Sequence, residues 1–85
     1  MAWQRLQTPK GTLLVSRAAD GIVRLRETEP GKWAVLAVTP IIREPVEGQL
    51  ATQRQWALDA LMAEAKAEVA RRGEVWVDAG QEPTP

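Results

Sequence analysis

The chain has 85 residues, 45% hydrophobic and 26% charged, with a formal net charge of zero. That is enough for one domain with a small core, burying about 60–65% of the surface its unfolded form exposes. It has no Cys and no His, which excludes disulfides, thiolate zinc sites and any Ser-His-acid or Cys-His nucleophile, and no metal or cofactor site is expected.

Residues 1–8, MAWQRLQT, form a candidate outer strand, set off by Pro9 and Gly11. Gln4, Arg5 and Gln7 interrupt any apolar leader segment, and no run approaches the roughly 18–20 apolar residues of a membrane span, so the expectation is a cytoplasmic protein.

Residues 12–38 predict a three-stranded antiparallel meander, TLLVSR, IVRLRE and WAVLAV. A three-residue loop of Ala19, Asp20 and Gly21 would join the first two strands, setting Val15 opposite Leu25 and Leu13 opposite Glu27. The second connection is EPGK, with Pro30 and a positive-φ Gly31 at the central turn positions. It sets Leu25 opposite Leu36 and Val23 opposite Val38. The predicted core face is then Leu13, Val15, Val23, Leu25, Ala34, Leu36 and Val38. The outer face is Leu14, Ser16, Ile22, Arg24, Arg26, Trp33, Val35 and Ala37, because a one-residue slip would bury both arginines.

Residues 39–50 hold two Pro and one Gly and predict an extended crossing, with a short edge strand at 41–42. Thr52 and Gln55 make a T-x-x-Q capping box for a helix running to Arg72 and stopped by Gly73. Leu58, Leu61, Met62, Ala65 and Val69 fall within an arc of about 100° that suits the sheet. The opposite side carries Trp56, Ala60, Ala63, Ala67 and Ala70. Helix propensity accounts for the alanines. Trp56 either folds over the helix start onto residues 41–50 or a terminal strand, or is a contact site, and the Trp56/Ala60/Ala63/Ala67 face would serve a homodimer. EVWVD (74–78) predicts a last short strand, and GQEPTP (80–85) a loose tail. The expected fold is α+β: a three- to five-stranded antiparallel meander with one long amphipathic helix on one face, in a single domain over residues 1–79.

Chemistry is sparse. Carboxylate pairs occur at Glu27/Glu29, Glu44/Glu47 and Glu64/Glu68: Glu64/Glu68 reads as a solvated helix flank, and Glu27/Glu29 flank a turn and would bind a cation only weakly. Gly11, Gly21 and Gly31 read as isolated turn glycines, so the chain is not expected to be an enzyme. Residues 1–38 carry six Lys/Arg against three acids. Arg24, Arg26 and Trp33 on the outer sheet face form the candidate contact surface, with Lys10, Arg17 and Lys32 extending its positive field. Arg beside Trp on an open sheet meets either an acidic protein or, by phosphate contact and base stacking, a nucleic acid.

A sheet and then a helix, GKWAVLAV followed by TQRQWALDALMAEA, resembles the arm-type DNA-binding modules of phage integrases over residues 12–72. It departs from them in the Pro-rich insertion before the helix and in its neutral net charge. In size and layout the chain is also similar to small phage-encoded inhibitors of the anti-CRISPR kind. The expected function is protein binding, as an inhibitor of a bacterial host or defence complex, with nucleic-acid binding through the basic sheet face as the alternative.

Overall fold

The computed structural model describes residues 2–78; the tail expected at 80–85 lies outside them. The elements are β1 (Ala2–Thr8), β2 (Gly11–Ala18), β3 (Gly21–Glu29), β4 (Lys32–Pro40), α1 (Leu50–Arg71) and β5 (Val75–Trp76). The fold is α+β, a five-stranded sheet in the order β1-β2-β3-β4-β5 with the helix packed against one face. β1 to β4 are successive antiparallel neighbours, so residues 2–8 do pair as a strand. β5 runs parallel to β4, because the chain crosses back through α1 before rejoining the sheet.

The strand β3, VRLR, has one apolar and one charged face, and it sits as expected: Val23 and Leu25 are buried, Arg24 and Arg26 exposed. Its neighbours differ from expectation. The β2–β3 connection has two residues, Ala19 and Asp20, between the paired Ala18 and Gly21. Gly21 enters the ladder itself, at φ 156°. Leu14 therefore faces Leu25, and Ser16 faces Val23. That one-residue change turns every β2 side chain over. Leu14 and Ser16 are in the core, while Leu13 and Val15 lie on the outer face, half-buried.

The second correction is a β-bulge. Arg24 pairs with Ala37 and Leu25 with Val35, so Leu36 is an extra residue in β4. Val38 keeps its predicted place opposite Val23, but beyond the bulge the faces exchange. Trp33 and Val35 join the core side. Leu36 is 49% exposed, and Ala34 is buried opposite Arg26. The EPGK turn forms as predicted, with Gly31 at φ 78°.

Helix α1 covers the inner face with Leu61, Ala65 and Val69, all buried, flanked by half-buried Leu58 and Met62. Full burial of a Leu or Val stabilises by about 1.5–3 kcal/mol relative to exposure, so this stripe holds the two layers together. The helix begins at Leu50, earlier than the expected Thr52 cap, and its N-cap Gln49 makes no side-chain cap bond. The Gln53 amide anchors the crossing segment instead: its Oε1 accepts from Val46 N at 2.9 Å and its Nε2 donates to Glu44 O at 3.0 Å. No strand forms at 41–42; the Ile41 N–H closes onto Asp20 O at 2.9 Å. At the other end Gly73, φ 69°, takes the left-handed stop. Its N–H donates to Ala70 O and the Glu74 N–H to Val69 O, the paired bonds of a Schellman motif. No helix among the described residues is long and apolar enough to cross a membrane.

Candidate functional site

Among the described residues, no element covers the face of the sheet away from α1. Register places its residues in cross-strand rows. One row is Ala2, Arg17, Ile22 and Thr39; the next is Gln4, Val15, Arg24 and Ala37; the third is Leu6, Leu13, Arg26 and Ala34, with Leu36 beside it at the bulge. Arg17, Arg24 and Arg26 are exposed and, among the described residues, enter no ion pair. No carboxylate stands in any of the three rows. The face is thus aliphatic, crossed by three guanidinium groups that no described carboxylate neutralises. Arg side chains lying across aliphatic neighbours keep an apolar stem in contact and a charged head in water.

Of the residues singled out from the sequence, Arg17, Arg24 and Arg26 come together on this face, and Lys10 stands at its end in the β1–β2 turn. Lys32 is a different case: its Nζ pairs with Glu29 Oε2 at 2.8 Å, which spends its charge locally. Trp33 has to be removed from the surface. It is fully buried and is the largest fully buried side chain of the core. The bulge at Leu36 turns it inward, where its indole N–H donates to Glu74 Oε1 at 3.1 Å. The cation over its ring is Arg5, 5.5 Å from the centroid, and not Arg24 or Arg26. Arg5 is also 3.6 Å from Glu27 Oε1, and Glu27 Oε2 accepts the Gly31 N–H at 3.0 Å. This cluster ties the β3–β4 turn to the inner face of β1 and is structural.

The residues missed from the sequence are the aliphatic ones. Leu13, Val15 and Leu36 were assigned to the core and stand on the outer face; Leu6, 36% exposed, joins them from β1. The doublet of leucines in TLLVS and the unbroken run WAVLAV were the available signals, since each supplies apolar residues to both sides of its strand.

The helix offers a second surface. Trp56 is 65% exposed and does not fold under residues 41–50. It borders a shallow depression lined by Ile41, Ile42, Arg43, Glu44 and Gln53. Ala60 and Ala63 continue from it along the exposed side of α1, and Ala67 is half-buried.

Two carboxyls are held below their usual range. Partial burial pushes the Glu68 carboxyl up, but hydrogen bonds and charge from Arg71 and Arg72 outweigh it. The Lys32 hydrogen bond and charge lower Glu29. Both pairings lie away from the three arginine rows. No group of three or more potential ligands for a metal ion occurs among the described residues. No family model matches this chain, and no match is found among curated proteins or solved structures.

Proposed function

We propose that this protein is a non-enzymatic binding module whose outer sheet face docks on an acidic, partly apolar surface of another protein. The observation that carries this reading is the composition of that face: Arg17, Arg24 and Arg26, without ion-pair partners among the described residues, set among Leu6, Leu13, Val15 and Leu36, and no carboxylate in the rows. Interfaces are enriched in Arg and depleted in Lys and acids. Nucleic-acid binding through the same face is the weaker reading, because bases are held on a sheet by aromatic stacking and Trp33, the aromatic expected there, is in the core. The resemblance to small phage inhibitors supplies a class of target, a bacterial host or defence complex.

The test is charge reversal at two positions, Arg17→Glu with Arg24→Glu. Both side chains are exposed, so stability should stay within about 0.5 kcal/mol, while capture of the protein partner from bacterial lysate is lost. Capture retained by the folded double variant would remove this face from the site. Binding to DNA or RNA that falls with salt by about 0.9 log–log units per phosphate contacted, and is lost in the double variant, would move the function to the nucleic-acid reading.

A further inference from the structure

The outer face is interrupted at one end by a cleft between the two hairpins. β2 and β3 pair from Ala18↔Gly21 to Leu13↔Arg26 and no further. Beyond that point Gly11 and Thr12 stay with β1, while Glu27 and Glu29 stay with β4. The wedge between them has a volume of about 490 Å³, and its lining includes Lys10, Thr12, Leu13, Arg26, Thr28 and Leu36. That is within the range of about 300–1,000 Å³ seen for small-ligand sites.

Its chemistry is polarised. The Thr28 and Thr12 hydroxyls donate to Lys32 O and Gln7 Oε1, and Thr8 donates to Gly11 O. The carboxylate of Glu27, the acid of the lining, is turned to Gly31 N and Arg5. Lys10 and Arg26 are left as side-chain donors, both positive and neither in an ion pair among the described residues. Leu13 and Leu36 supply the apolar wall. Successive residues of a strand turn their N–H and C=O groups to opposite sides, so one of Gly11 and Thr12 presents its backbone pair to the cleft.

We propose that this cleft takes the C-terminal end of a partner chain. The free α-carboxylate meets Arg26 and Lys10, the apolar last side chain rests on Leu13 and Leu36, and the splayed edge of β2 supplies backbone hydrogen bonds. Charge complementarity selects an anion, and the backbone edge selects a peptide over a bare carboxylate. A terminus is preferred to an internal segment because the Leu13↔Arg26 pair closes the cleft: a chain entering it must end there or turn back. Terminal carboxylate capture and strand-edge pairing are both established modes of peptide recognition. This inference rests on the reading of the outer face as a protein-binding surface.

The experiment is an NMR titration of the full chain with N-acetyl-leucyl-leucine as the free acid, with its amide, and with 4-methylpentanoate. The free acid should shift the amides of Leu13, Arg26 and Leu36 and bind about tenfold or more tightly than the amide, the worth of a charge-assisted hydrogen bond. 4-Methylpentanoate should bind more weakly than the dipeptide acid. Arg26→Gln and Lys10→Gln should each erase most of the preference for acid over amide. Leu36→Glu, at a half-exposed position, should abolish binding with the spectrum still that of a folded protein. Equal binding of acid and amide, equal binding of 4-methylpentanoate, shifts that map elsewhere, or no saturable shift would each overturn the proposal. Arg17 and Arg24 do not line the cleft. Failure of the dipeptide with partner capture still dependent on those two therefore sinks the cleft alone, and retained capture in their double variant sinks the docking face.

Discussion

Gly21→Ala is the most direct test of the register on which the proposed binding face depends. An added Cβ at Gly21 would stand 2.6 Å from Leu61 Cδ1, 2.6 Å from Thr39 O and 3.1 Å from Pro40 Cα. Two of those atoms are backbone, and Leu61 is fully buried, so no neighbour yields freely. The backbone adds its own cost: φ is 156°, a region that L side chains rarely adopt, with a typical penalty of about 1–3 kcal/mol. Overpacking of a filled site adds about 1–3 kcal/mol. The expected loss is therefore about 2–6 kcal/mol, against a total stability on the order of 4–13 kcal/mol for a domain of this length. At about 4–8 °C per kcal/mol for small domains, the melting temperature falls by at least roughly 8 °C. Gly11→Ala is the control, since Gly11 has φ 126° with nothing within 4 Å of an added Cβ; it carries the backbone cost without the crowding. Thermal and urea unfolding of both variants, followed by Trp fluorescence, measure the difference. Adding Leu61→Val to Gly21→Ala should cost less than the sum of the two single changes, because it removes one of the colliding atoms. A Gly21→Ala protein that melts with the Gly11→Ala control, or strict additivity with Leu61→Val, would refute the two-residue turn and with it the assignment of Arg17, Val15 and Leu13 to the open face.

Two further predictions address the inner face and the helix end. Ser16 is fully buried and its Oγ has no hydrogen-bond partner among the described residues, nor has the indole N–H of Trp3, the residue opposite it. A buried unsatisfied hydroxyl costs about 1–3 kcal/mol, so Ser16→Ala should raise the urea midpoint at unchanged slope; a lower midpoint would show that the hydroxyl is satisfied. Glu68 accepts from Arg71 Nη2 at 2.9 Å and Arg72 Nε at 2.8 Å, and its carboxyl is held below the usual range. A lowered folded-state value stabilises the fold above the unfolded-state pKa of about 4.3, and this contribution is lost as pH falls through the lower folded value. The wild type should therefore exceed Glu68→Gln in urea midpoint at neutral pH, with the gap closing on the acid side. Glu29, lowered by its Lys32 hydrogen bond, is common to both proteins and cancels in the comparison. A gap independent of pH would show that the carboxylate's charge contributes nothing.

How far the fold could be read from the residues differed from strand to strand, and the difference is physical. β3 alternates strictly, with Val23 and Leu25 on one side and Arg24 and Arg26 on the other, so the cost of burying two guanidinium groups decides its orientation. The helix is equally decisive, because Leu61, Ala65 and Val69 repeat at its own period and Gly73 marks its end. β2 and β4 carry no such constraint. Leu13, Leu14 and Val15 are consecutive, and Trp33 to Val38 is apolar throughout. Either face satisfies a burial argument, so orientation rests on the turn length and on an unsignalled bulge. The inferred turn was one residue too long, and β2 inverted with it. That ambiguity bears on the proposed function. A single helix covers one face of a sheet, and the buried Leu61, Ala65 and Val69 of α1 all press on that face. Strands that are apolar on both sides therefore hold more apolar surface than the domain can bury, and the excess must lie on the side the helix does not reach. Leu13, Val15 and Leu36 are that excess, and the row alternation of β3 places Arg24 and Arg26 among them. Folding alone would be served by polar residues at those three positions, so the leucines and valine, beside arginines with no ion pair among the described residues, support the proposed contact with a partner.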